Sequence, residues 1–174
     1  SFPLLLPLLD QPCPVERMSA VYALGRNPCP KAVQKLVCLL ETDDNAYVRR
    51  ATAWSLANYD NQIVLEPLIN ALKNDVAAVR LWSSSSLAEI GNVSLENAQL
   101  AAEQLLVSLK IDNESGVRSN CIWSLCRLYE KLNNAFQESF IDECTKIALF
   151  DKEPSVMEEA KTALDSMGMQ GFYN

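Results

Sequence analysis

The sequence contains no histidine. A Ser-His-Asp triad therefore has no base, and the commonest zinc ligand is missing. The six cysteines are Cys13, Cys29, Cys38, Cys121, Cys126 and Cys144, and no two of them form a Cys-x-x-Cys pair. Zinc-finger spacing is thereby excluded. Positive charge is scarce, with 15 Lys and Arg against 22 Asp and Glu, a net charge of −7. A protein that tracks nucleic-acid phosphates wants a basic stripe, and one that adheres to anionic membrane wants a basic surface. We expect neither partner. Long apolar runs are also lacking. The longest, Pro3 to Leu9, is far short of the roughly 20 residues that span a bilayer. No stretch alternates apolar and polar residues for long enough to specify a strand.

What is present is hydrophobic material and a repeat. Hydrophobic residues make up 49% of the chain, enough to build a core. The pattern is clearest at Val48-Arg49-Arg50-Ala51-Thr52-Ala53-Trp54-Ser55-Leu56. An Arg sits beside an apolar residue, small residues follow, and a Leu comes seven positions after the Arg. Arg17…Leu24, Arg49…Leu56, Arg80…Leu87 and Arg118…Leu125 fit, and Met157…Leu164 fits without the Arg. The starts are 32, 31, 38 and 39 residues apart. A unit of that size marks a solenoid of stacked helix pairs.

The expected fold is all-α, an α-solenoid of about four helix pairs. Residues 1–11 read as a half repeat, with Leu5 and Leu9 on one helical face. Repeats follow at 12–43, 44–75, 76–112 and 113–151, and 152–174 form a terminal helix and tail. An apolar helix opening at the first residue suggests an array that begins upstream. Gly25 reads as a C′ residue ending the helix at 14–25. An Asp or Asn precedes each first helix, where it caps orphan N–H groups or meets the Arg of a neighbouring repeat. Such a ladder is the structural reading of Arg17, Arg49, Arg80 and Arg118. The even cysteine count permits disulfides, but several cysteines fall at core-like positions, which favours reduced thiols in a cytoplasmic or plastid-stromal compartment.

The Val-Arg-x-x-Ala core of Val48 to Leu56 and the following Leu65-Glu66-Pro67-Leu68-Ile69-Asn70-Ala71-Leu72 resemble HEAT repeats. More narrowly they resemble the HEAT-like repeats of the phycobilisome, or phycobiliprotein bilin, lyase family. A helical wheel at about 100° per residue, with the Arg as position 0, puts −1, +3 and +7 on the packed arc and +5 nearly opposite. Position +5 holds Tyr22, Trp54 and Trp123, with Ser85 the exception. The lyase family places Trp at this position, in Arg-x-x-Ala-Ala-Trp-Trp-Leu-Gly. The stretch from Arg49 to Leu56 is similar but lacks the paired Trp and the Gly. Trp82, at +2, is expected in the core. Both Pro-Cys-Pro thiols, Cys13 and Cys29, read as turn residues.

The resemblance implies a factor that attaches, isomerises or detaches a linear tetrapyrrole at cysteines of a phycobiliprotein. The bilin would be a substrate, and no cofactor is expected. The partner would be a phycobiliprotein subunit or other protein, with a second HEAT-repeat lyase subunit in some members. The acceptor thiol would come from the substrate, so the chain needs no catalytic triad, and no catalytic residue can be named. The alternative is a scaffold for protein–protein interaction without chemistry. A di-iron hydroxylase on this architecture needs His-Glu pairs, and a HEAT-like DNA glycosylase needs a basic groove; both are set aside. Candidate contact residues are Tyr22, Trp54 and Trp123, with Lys35, Asn70 and Lys73 on the second helices, the face that such arrays use for binding.

Overall fold

The computed structural model describes residues 2–169. Ser1 and residues 170–174, which hold the chain start and most of the expected tail, lie outside the described residues. The chain forms two compact units, divided between Ile90 and Gly91. Every regular element among the described residues is helical, as the repeat pattern predicts.

In the first unit, α1 (Phe2–Leu5) continues into a 3-10 turn at Leu6–Asp10, and α2 (Pro14–Arg26) follows. A 3-10 turn at Pro30–Ala32 leads into α3 (Val33–Thr42), then α4 (Ala46–Leu56). Another at Gln62–Val64 leads into α5 (Leu65–Asn74), and α6 (Ala77–Gly91) closes the unit. The core stripe of α5 is Leu65, Leu68 and Leu72, all buried, at the spacing that lines one face of a helix. On α4 the buried residues are Val48, Ala51, Thr52, Ala53, Ser55 and Leu56. Its small side chains let α4 lie close to α2. The tyrosine in the turn after α4 ties the corresponding turn of the preceding repeat. Tyr59 is buried, its hydroxyl donates to the Leu24 carbonyl at 3.0 Å, and it accepts from the Cys29 N–H at 3.2 Å.

The second unit contains α7 (Leu95–Ile111), α8 (Ser115–Leu128), a 3-10 turn at Tyr129–Lys131, α9 (Asn134–Phe150) and α10 (Pro154–Ser166). Here α7 packs on α8, α9 on α10, and α8 on α10. The same scheme of first helix on first helix, and second helix on the next first helix, holds α2, α3 and α4 together in the first unit. Each unit thus has solenoid packing.

Two local expectations are corrected. Gly25 does not end α2. It lies inside the helix, and its φ is not positive; its small size serves a packing contact described below. Of the Asp and Asn residues before the first helices, Asn45 is an N-cap as expected. The Asp residues are not, and Asp43, Asp75 and Asp151 take the other expected role of meeting an Arg. Asn45 caps α4, accepting from the N–H groups of Tyr47 and Val48, and Ser94 and Asn133 cap α7 and α9. The Asp residues instead end the second helices. Asp43, Asp75, Asp112 and Asp151 are the C-cap residues of α3, α5, α7 and α9. Each carboxylate also accepts a backbone N–H one or two residues on, at Asn45, Val76, Glu114 and Glu153.

Candidate functional site

The recurring Arg fixes where the open surface lies. Arg17 donates from Nε to Asp43 at 2.8 Å, Arg49 from Nη2 to Asp75 at 2.9 Å, and Arg118 from Nη2 to Asp151 at 2.9 Å. The third nitrogen, Nη1, donates back to the turn before its own helix, at the carbonyls of Gln11, Asp43 and Asp112 respectively. Arg80 makes the equivalent bond to the Asp75 carbonyl. One guanidinium therefore locks the turn before a first helix to the end of the next second helix. A planar fork with fixed donors suits that task. Burial by itself would raise the Asp43 carboxyl. The hydrogen bonds from Arg17 and the Asn45 N–H, with the charges of Arg17 and Arg49, hold it below its ordinary value.

Between successive rungs the last turns of neighbouring second helices leave a cleft. In the first unit it has a volume of about 470 Å³ and lies between the ends of α3 and α5. Glu41 and Thr42 form one side, Asn70 and Asn74 the other, and the Arg49–Asp75 pair the floor. Arg49 is the only cation among the described lining residues, and it is engaged by Asp75 and the Asp43 carbonyl. Asn70 and Asn74 are exposed and one helical turn apart. Each amide offers two donors and an acceptor, and the terminal helix carbonyls add acceptors. The arrangement can grip a polar chain; it holds no nucleophile with a base.

Of the five expected contact residues in the first unit, one lies at this cleft. Asn70 lines this cleft. Lys73 is exposed on α5 outside it. Lys35 is ion-paired to Asp10 on the preceding turn. Tyr22 and Trp54 are half-buried against each other, with ring centroids 5.5 Å apart. A pure wheel projection put both side chains opposite the packed arc, but large rings reach sideways to the neighbouring first helix. Trp123 in the second unit is 42% exposed, with the Arg127 guanidinium 5.0 Å from its ring centroid. Trp82 is 39% exposed and is not a core residue. At +2 it lies on the flank of the packed arc.

The sequence reading missed Glu41, Thr42 and Asn74. It also missed a second cleft of about 370 Å³, between the ends of α7 and α9, lined by Lys110, Ile111, Arg118, Glu143, Phe150 and Lys152 among others. The signal for both was in the chain: each second helix ends at the residue immediately before a ladder Asp. Among the described residues no group of His, Cys, Asp or Glu could hold a metal ion, and no helix is long and apolar enough to cross a membrane.

A family model described as HEAT repeats matches residues 2–88 and 33–126. No curated protein matches the chain in sequence. Several solved structures are similar in fold. A designed armadillo repeat protein is 20% identical with a TM-score of 0.65, the match covering 95% of this chain and 82% of that one. An engineered protein is 24% identical with a TM-score of 0.68, covering 94% and 79%. A designed armadillo repeat protein in complex with the peptide (KR)4 is 17% identical with a TM-score of 0.56, covering 99% of each chain.

Proposed function

Because the chain belongs to the HEAT-repeat family, we propose that it is a binding scaffold that holds an extended segment of a partner protein at the ends of its second helices. The observation that carries this reading is the polar cleft between α3 and α5, with Asn70 and Asn74 exposed on one side and Glu41 on the other. Amides at that spacing suit main-chain groups of an extended peptide, which carry a donor and an acceptor at nearly every residue. The solved structure with (KR)4 offers support from architecture alone. The test is selection of peptides from a random display library on the folded chain. Binders should emerge, and the double variant Asn70→Ala, Asn74→Ala should weaken them about tenfold, one hydrogen bond's worth or more. Selection without binders, or binders indifferent to both substitutions, would sink the reading.

A narrower reading has its own observation. Tyr22 and Trp54 form an aromatic pair on adjacent first helices, and Trp123 presents an exposed face. These supply flat apolar surface for a conjugated ligand. The partner would then be a phycobiliprotein subunit, the bilin a substrate, and the chain a lyase-type factor acting alone or with a second HEAT-repeat subunit in the cytoplasm or plastid stroma. Co-expression with a phycobiliprotein subunit and bilin should yield covalently coloured protein, less of it with Trp123→Ala. A purified chain that neither shifts bilin absorbance nor binds the subunit would discard this narrower reading and leave the scaffold standing.

A further inference from the structure

We propose that the cleft at the ends of α7 and α9 binds an acidic segment of a partner protein that also carries a bulky apolar side chain. The proposal rests on the scaffold reading above and adds the chemistry of one particular cleft.

The last residues of α3, α5, α7 and α9 are Thr42, Asn74, Ile111 and Phe150, and all four are exposed. At Thr42, Asn74 and Phe150 the Asp that follows is tied down by its Arg. In the first unit it is polar. In the second it is apolar, with Ile111 72% and Phe150 80% exposed, and both line the same cleft. Leu100 and Val107 continue the exposed stripe along α7, eleven and four residues before Ile111. That spacing keeps all three on one helical face. Exposed apolar groups gathered at a cleft, rather than scattered, mark an interaction site.

The charge changes with the polarity. Glu41 precedes Thr42 in the first unit, and Lys110 precedes Ile111 in the second. Val76 follows Asp75, and Lys152 follows Asp151. Lys110 and Lys152 are exposed, line the cleft and have no ion-pair partner among the described residues. Arg118 is already committed to Asp151 and the Asp112 carbonyl, and Glu143 lies 3.8 Å from Lys146. Two unpaired ammonium groups therefore flank two exposed apolar side chains, in a chain of net charge −7. Asp112 and Asp151 line the cleft as well, but their carboxylates accept the Glu114 and Glu153 N–H groups and Asp151 is paired with Arg118. Within a Debye length of about 8 Å at physiological salt, the two lysines are therefore the charges left open to a ligand. Carboxylates on either side of a Leu or Phe complement this arrangement.

The test uses fluorescence anisotropy of the full chain with labelled extended peptides. One alternates Asp with Leu and Phe; a second replaces Asp by Lys; a third replaces Leu and Phe by Ser. The Asp–apolar peptide should bind tightest. Ile111→Ser with Phe150→Ser should weaken it about thirtyfold, as for loss of a buried anchor. Both sites are exposed, and circular dichroism melts should match wild type. Lys110→Glu with Lys152→Glu should reverse the preference between the Asp and Lys peptides. Equal binding of all three peptides, or indifference to the Ile111 and Phe150 changes, would overturn the proposal. So would concentration-dependent dimerisation abolished by the same changes, which would make a second copy the occupant. Preferential binding to phosphatidylserine vesicles would overturn it as well. Library binders that depend on Asn70 and Asn74 would in each case leave the scaffold reading intact.

Discussion

Trp54 lies so close to Gly25 that a Cβ on residue 25 would sit 2.4 Å from the indole Cζ3. The glycine is a seat for the ring, in the last turn of α2 where an alanine would otherwise be preferred. Tyr22, three residues earlier on α2, holds the other side of the contact at 5.5 Å between ring centroids. The aromatic position that points away from its own helix is thus partly used to fasten two first helices together.

This contact predicts a change of sign. Gly25→Ala alone should destabilise the chain by about 1 kcal/mol, because displacement of the indole, a cost of about 1–3 kcal/mol, exceeds the helix propensity gained, about 1 kcal/mol. In a Trp54→Leu background the obstacle is gone, and the same substitution should stabilise. Urea unfolding of the four proteins of the cycle measures both signs and the coupling. Destabilisation of equal size in both backgrounds would show that the ring does not need the glycine.

The rung at Arg49 is predicted to be structural. Its side chain and that of Asp75 are 16% and 13% exposed, and its Nη1 also serves the Asp43 carbonyl. Arg49→Ala leaves a mostly buried carboxylate and a carbonyl without a donor, at a cost of about 2–4 kcal/mol. Arg49→Lys should recover less than half of that, because a single ammonium cannot reproduce the fork. Thermal melts with matched denaturant curves would measure both. Full recovery by Lys would reduce the rung to simple charge pairing.

The repeat and its helices were legible because the period, the Val-Arg and the Leu at +7 all report one thing, the packed face. The ladder was legible for the same reason, with Asp43, Asp75 and Asp151 standing where Arg17, Arg49 and Arg118 can reach them. The contact surface was less so. A wheel gives the direction of a Cβ, not the reach of a ring, so Tyr22 and Trp54 were placed too far out and Trp82 too far in. Ile111 and Phe150 do not stand out in the sequence, because an apolar residue on a helix is distinguished from core only by its register against the Asp that ends the helix. Lys35 was counted as available, yet its partner Asp10 lies 25 residues earlier, beyond what spacing along one helix reveals.

Acid should weaken the Arg17–Asp43 rung. The Asp43 carboxyl is held below its ordinary value by Arg17 and its neighbours, against the opposing effect of burial. A carboxyl depressed in the folded state contributes stability that is fully present above its unfolded pKa, about 3.9. That contribution is lost as pH falls through the lower folded value. Asp43→Asn should therefore be less stable than wild type at pH 7, and the gap should narrow steadily below about pH 4. Unfolding free energies across that range test it, and a gap constant with pH would assign the loss to packing instead of charge.

The cysteines give a prediction about local opening. Cys13 and Cys38 are exposed, Cys29, Cys121 and Cys144 are buried, and Cys126 is intermediate. Burial pushes the Cys126 thiol up to about 11 and raises those of Cys121 and Cys144 as well. A thiol that is both covered and protonated is a poor nucleophile. At pH 8 the native chain should therefore react with a disulfide reagent at Cys13 and Cys38 within minutes. The other four should react only at the rate at which the structure covering them opens, and all six at once in denaturant. Stabilising ligands of the α7–α9 cleft should slow Cys144 further, since it lies on α9 itself. Mass spectrometry of timed samples distinguishes these sites. Fast native labelling of Cys121 or Cys144 would mean that the second unit opens far more readily than its packing implies, and its cleft would then have to be read as a transient surface.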